Sequence, residues 1–303
     1  MMRSVSALQR FDQMRNEVLH AKLTELNRAR LAPAEPSKDW RVSLEREHRW
    51  HSLELGFLEG ELAMVRERAR HAPRAPDGFI RWFEELRVSG PGQGDPLFPW
   101  LATTADLEQL TWFLKQEVSG EAGFEDLVAL TQLRMPVRAK LELARNYWDE
   151  LGRGHARGMH GPMLHRLAGE LRLDEHPAPI VWEALALANT MAGLASNRRY
   201  AYHALGALGV IELTAPGRAT LVNEGLRRCG LSPHARQYFA LHATLDIQHA
   251  EAWNREILRP LIEAQPQVAP WIAEGALARL EAGRRCFERY RRELGMHPVG
   301  QVA

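Results

Sequence analysis

The stretch His242-Ala-Thr-Leu-Asp246-Ile-Gln-His249 sets two imidazoles and a carboxylate at successive intervals of four and three residues. At about 100° per residue, an α-helix carries Asp246 roughly 40° round from His242 and returns His249 to within roughly 20° of it. One helical face therefore gathers three good metal-ligand side chains. Leu241, Leu245 and Ile247 flank the stripe, so it is expected to face a packed interior. Such polar groups need an ion or a dense hydrogen-bond network there.

The same helical spacing recurs along the chain. Leu8, Phe11, Met14, Val18 and Leu26 form one apolar stripe. Trp50, Leu53, Phe57, Leu58, Leu62 and Val65 form a second beyond Pro33 and Pro36, and Ile80, Trp82, Phe83 and Leu86 form a short third. Strand-like alternation is almost absent, so the expected fold class is all-α. The loop Ser89-Gly-Pro-Gly-Gln-Gly-Asp-Pro96 is the clearest break. Beyond it, Asp106 is placed to cap a helix through Leu110, Phe113, Leu114, Glu117, Glu121 and Phe124. Val137 to Leu151 is the next helix, and an apolar one from Ile180 to Asn197 follows Pro177 and Pro179, with small residues that permit close approach of its neighbours. Tyr200 to Leu208, Thr220 to Cys229, Pro233 to Ile257 and Trp271 to Leu294 complete a bundle of about seven core helices. The organisation expected is an N-terminal helical extension (1–92), the bundle (93–295) and a short tail (296–303).

With 303 residues the chain can bury a sizeable core. Its 39 basic and 38 acidic residues nearly cancel, which argues against a polyanionic partner such as nucleic acid. Cys229 and Cys286 stand far apart in no metal-type spacing, so neither a disulfide framework nor a zinc ribbon is indicated. No apolar segment follows Met1-Met2-Arg3, and the greasiest run, Val181 to Leu194, is broken by Glu183 and Asn189. The expectation is a cytoplasmic protein that does not insert into membranes.

A second ligand-rich stretch runs from Glu150 through Gly152, Gly154, His155 and Gly158 to His160, with His165 beyond. On an ideal helix Glu150 and His160 would point about 80° apart. The glycines permit a broken turn that could aim both at one point, at the cost of a weak element. The bland alternative is a surface loop with scattered histidines. Glu117 shares a stripe with Leu110, Phe113, Leu114 and Phe124, where a carboxylate is costly unless paired or metal-bound. Glu121 competes with it, and pairing of Glu117 with Arg134 or Arg138 is the alternative to ligation. Glu117, Glu150, His160, His242, Asp246 and His249 together supply three carboxylates and three imidazoles without a thiolate, which suits two iron or manganese ions. The Glu-x-x-His spacing of ferritin-like sites occurs at Glu17/His20 and Glu45/His48, and the second pair lies in a run of charges.

This pattern resembles the haem-oxygenase-like di-iron oxidases and oxygenases, the iron-containing redox enzyme family. Their core helices present a lone Glu, then a Glu followed downstream by a His, then His-x-x-x-Asp-x-x-His. Here these read Glu117, then Glu150 with His160, then His242, Asp246 and His249, with Pro96-Leu-Phe-Pro-Trp-Leu101 as a family-like lead-in. The resemblance covers roughly residues 95 to 292. It implies a haem-oxygenase-like fold, two Fe(II) ions held by those six residues, O2 as co-substrate and use for an external reductant. It also implies mobility around the helix that bears Glu150 and His160, and a homodimer formed through the N-terminal extension, unless that extension caps its own subunit. The small-molecule substrate expected is an amine or amino-acid derivative, undergoing N-oxygenation or oxidative C–C or C–N cleavage in specialised-metabolite (natural product) biosynthesis. The alternatives are a fatty-acid decarboxylase making a terminal alkene, and a metal-free enzyme or binding protein of the same fold. Tyr147, Trp148, Asn189, Tyr202 and His203 are the candidate substrate-lining residues, being polar or aromatic on apolar core helices. An arginine in the cavity, with Arg134, Arg138 and Arg145 as candidates, would favour a carboxylate-bearing substrate.

Overall fold

In the computed structural model, which describes residues 7–36, 39–121 and 123–296, the chain is helical from end to end. The helices are α1 (Ala7–Leu31), α2 (Trp40–Arg70), α3 (Pro76–Ser89), α4 (Leu97–Thr103), α5 (Leu107–Gly120), α6 (Phe124–Thr131) and α7 (Val137–Glu150). They continue with α8 (His160–Glu170), α9 (Trp182–Ser196), α10 (Ala201–Arg228), α11 (Gln237–Ala252), α12 (Arg259–Ala264) and α13 (Ala269–Glu293). No strand occurs among the described residues. None of their helices is long and apolar enough to cross a membrane.

Local chemistry sets several boundaries. Asp106 caps α5 through a reciprocal box, accepting from Gln109 N while the Gln109 side chain accepts from Asp106 N. The sequence reading carried that helix on through Glu121 and Phe124. It ends instead at Gly120, and Gly123, at φ +72°, turns the chain into α6. A second correction concerns α10. The sequence suggests two helices separated by the Gly209 to Thr220 region, but one 28-residue helix runs through Pro216. A proline inside a helix removes one N–H and the hydrogen bond to the carbonyl four residues back, here that of Glu212. Burial of α10 against α11 and α13 over its length sustains it across the gap.

α10 and α13 are the central pair. They approach so closely that a Cβ at Gly206 would lie 1.8 Å from Ile272 O and one at Gly275 1.9 Å from His203 O. Only glycine fits at that crossing. The apolar core divides along the two helices into a cluster rich in α2, α3 and α12 side chains and one rich in α4 and α5 side chains. The clusters meet between Leu213 and Val222 on α10 and between Leu280 and Ala282 on α13, and Glu212, Arg218 and Arg279 lie in or next to those intervals.

The first two helices pack on this chain's own bundle. Asn189 of α9 donates to the His20 carbonyl at 3.1 Å and accepts from Asn27 at 3.0 Å, while Leu58, Leu62 and Val65 of α2 join the core. The inward face of α1 is thus His20, Leu23, Leu26 and Asn27, and Met14 and Val18 of the anticipated stripe are exposed. The side chains of Leu8 and Phe11 lie outside the described ones, as do residues 297–303 of the tail. His20 stacks on Trp182, and Glu17, Glu45 and His48 are exposed, so the two Glu-x-x-His pairs build no common site.

Candidate metal centre

α11 carries the quoted stripe. Asp246 and His249 are buried and His242 half-buried, whereas Ile247, expected to flank an interior face, is half exposed. His242 Nδ1 donates to the Tyr238 carbonyl at 2.7 Å, which leaves Nε2 as the free nitrogen. His249 lies between two carboxylates, with Nε2 3.2 Å from Asp149 Oδ2 and Nδ1 3.4 Å from Glu212 Oε2. Glu212 is held in turn by Asn146, whose Nδ2 donates to Oε1 at 2.6 Å. An imidazole oriented by a carboxylate behind it is the usual outer support of a metal-bound histidine.

Glu150 ends α7, and His160 begins α8. Two short 3-10 turns, Gly152–Gly154 and Ala156–Gly158, link them. Gly152 adopts φ +61°, and a Cβ there would lie 2.2 Å from the Gly158 backbone. The chain thus folds back on itself through backbone contact that no side chain would allow. This corner aims both residues at one point, with His160 Nδ1 2.6 Å from Glu150 Oε2 and the His160 ring edge-on to His242 at 4.6 Å between centroids.

Two ligand groups result. Glu150, His160 and His242 form one and Glu150, Glu212 and His249 the other, each with donor atoms within 4.8 Å of one another. Glu150 belongs to both. Asp246 lies beside them, buried, with Oδ1 lacking a hydrogen-bond partner. Burial, followed by repulsion from Glu212, pushes the Glu150 and Asp246 carboxyls well above the usual carboxylate range. Burial holds His160 and His242 down to about 4, so both are neutral near pH 7, as metal ligation requires. Burial opposes a proton on His249, but Glu212 and Asp149 outweigh it and raise the imidazole. Crowded carboxylates, neutral imidazoles and an orphaned buried oxygen form a set that a pair of divalent cations satisfies, and oxygen and nitrogen donors without thiolate suit iron.

Glu150, His160, Glu212, His242 and Asp246 line a cavity of about 300 Å³, whose apolar lining includes Phe98, Phe113, Val222 and Phe239. Glu117 lines it too, but in neither ligand group. Enclosure raises its carboxyl, opposed by Arg218 and Arg279 and by the neighbouring Tyr290 hydroxyl. The pairing anticipated with Arg134 or Arg138 goes to different arginines. Arg138 binds Glu256, Arg145 binds Glu142 and Asp149, and Arg134 sits exposed at φ +60°.

None of the five anticipated substrate residues lines the cavity. Tyr147 packs against the core, Asn189 ties α1 to α9, Tyr202 donates to Gln265, and His203 faces Glu274 at 3.2 Å. Trp148 is half exposed and covers Gly154. For Asn189, Tyr202 and His203, being polar on an apolar helix reflects a hydrogen-bond partner across the fold. Sequence reasoning missed Glu212 because it fell in the presumed break before Pro216, and Asp149 because it adjoins Glu150. The available signal for Glu212 was a carboxylate amid Val210, Ile211 and Leu213.

The family model described as iron-containing redox enzyme matches residues 111–284, more than half of the chain and all of the residues in both ligand groups. No curated protein matches the sequence.

Proposed function

The chain belongs to the iron-containing redox enzymes, and from that premise we propose that it is a non-haem di-iron oxidase or oxygenase acting on a small amine or amino-acid-derived substrate. The observation that carries this reading is the sharing of Glu150 by two ligand groups, with the unpartnered Asp246 oxygen beside them. Glu150, His160 and His242 would hold one iron and Glu150, Glu212 and His249 the other, with Asp246 completing the set. The ferrous pair, when bound, would supply two electrons and a binding point for dioxygen, the substrate supplying the other two when an oxygen atom is inserted and an external reductant restoring the ferrous state.

The protein's part is positional. The Tyr238 carbonyl fixes the His242 tautomer, Asp149 orients His249, and Asn146 orients Glu212. Burial raises the Asp149 carboxyl, but hydrogen bonds from Arg153 and His249 outweigh it and keep it low and ionised. Phenylalanine rings line the cavity, and its polar lining offers cations at Arg218 and Arg279 and carboxyls at Glu121 and Glu125. A small zwitterion would find both partners, which supports an amino-acid-like substrate over a long hydrocarbon chain.

Anaerobic titration with ferrous ammonium sulfate tests the reading. About two irons per chain are expected, falling to one or fewer in His249→Ala, with oxygen consumption on aeration only in the loaded wild type. Uptake that does not exceed background, or that ignores His249, would overturn it.

A further inference from the structure

Two guanidiniums line the cavity beside Glu117. Arg218 of α10 donates to Thr214 Oγ1 at 2.9 Å and rests on the rings of Phe98 and Phe287, 5.9 and 5.6 Å from their centroids. Arg279 of α13 has a buried Nε without a hydrogen-bond partner. Burial, then its neighbour Arg279, lowers Arg218 to about 10, so it stays cationic near neutral pH. Glu117 acts on both arginines. Glu121, on the same cavity lining, acts on Arg279 but not on Arg218, and burial raises its carboxyl to about 7, so near neutral pH it offsets the arginines only in part. A buried guanidinium with an unused donor is an unfinished ion pair. Two cations against Glu117 and a partly protonated Glu121 leave room for one further negative charge.

We infer that Glu117 is a specificity-determining residue: as the built-in counter-charge of Arg218 and Arg279, it sets this end of the cavity to receive one carboxylate and to refuse two. Within the amino-acid-like class proposed above, the substrate is a monocarboxylate, its acid group on the arginines and its small apolar body against the phenylalanine rings of the cavity. The inference rests on the reading of this cavity as the substrate site. It does not depend on the iron chemistry.

Three probes of one chain length separate the possibilities: hexanoate, its uncharged amide, and butylmalonate, which carries a second carboxylate at the same end. Calorimetry on the full-length, metal-loaded protein is expected to show hexanoate binding at least about tenfold more tightly than either of the others. Glu117→Gln should move the hexanoate-to-butylmalonate ratio by about tenfold towards the dianion. Glu117→Gln combined with Arg279→Gln returns the net charge to its starting value and should restore the original preference. An unchanged ratio in Glu117→Gln, or hexanamide binding as tightly as hexanoate, overturns the inference. So does acid binding that vanishes when a parallel sample is stripped of metal, because the carboxylate would then sit on the ions. Should Glu117→Gln fail to fold, Arg279→Gln alone decides, since loss of the preference for hexanoate over its amide is required. Iron titration of the same proteins tells failure of this inference from failure of the di-iron reading.

Discussion

The two walls of the candidate metal centre are built by different means. Glu212, His242, Asp246 and His249 stand on α10 and α11, two long helices packed along each other, with Asn146, Tyr238 and Asp149 orienting three of the four. Glu150 and His160 stand on either side of a corner made of two three-residue turns and a backbone contact between glycines. Helical burial places the first set, and the geometry of a few dihedral angles places the second. The same centre therefore has one wall anchored by the core and one that depends on a local fold-back, the part drawn from the low-stability end of a structure.

The sharpest way to break the comparison is at Glu150, the residue both ligand groups share. Glu150→Gln should empty both positions, taking bound iron from about two per chain to near zero and lowering oxygen consumption by more than roughly a hundredfold, the upper loss seen even for residues behind the ligands. Retention of one full iron would show that the walls work independently. Gly152→Ala comes next, because it forces a Cβ against the Gly158 backbone at a positive φ. It should cost about 1–3 kcal/mol of stability, read from the melting midpoint, and release one iron, while the Glu150, Glu212 and His249 group keeps the other.

Asp149→Asn probes the anchored wall. It leaves every proposed ligand in place but removes the carboxylate behind His249, and should weaken one iron by about 10- to 100-fold, measured by competition with a chelator. The smallest effect is a dependence on pH. Glu150 and Asp246 are raised by burial and then by repulsion from Glu212, and His249 by its two carboxylates, so the metal-free site holds protons that a cation must displace. Raised carboxyls are most comfortable below their ordinary range, and their destabilising charge develops as pH climbs through the shifted values. Metal affinity should rise over that interval, with net proton release detectable by calorimetry in buffers of different ionisation enthalpy. His160 and His242, held down to about 4, should contribute no release near pH 7.

Much of the fold was legible because helical periodicity reports which face is buried. The capping of α5 by Asp106, the span of α7 and the small-residue helix α9 follow from nearest-neighbour chemistry. The missed parts share a cause. Pro216 suggests a break when the local sequence is weighed alone, yet packing against α11 and α13 carries α10 through it. That error hid Glu212. Asn189 and His203 carry the opposite lesson, since each looked functional for being polar on an apolar face and each met a protein partner across the fold.

By itself the sequence determined the all-α class, the His242, Asp246 and His249 stripe, and the glycine-broken link between Glu150 and His160, because these depend on spacing along one chain segment. The tertiary structure alone brought Glu212 beside Glu150 and His249, set Asp149 behind His249, and placed Glu117 with Arg218 and Arg279 on the cavity lining. Those facts turn on which helices touch, and contact between residues tens of positions apart is set by the packing of the whole core.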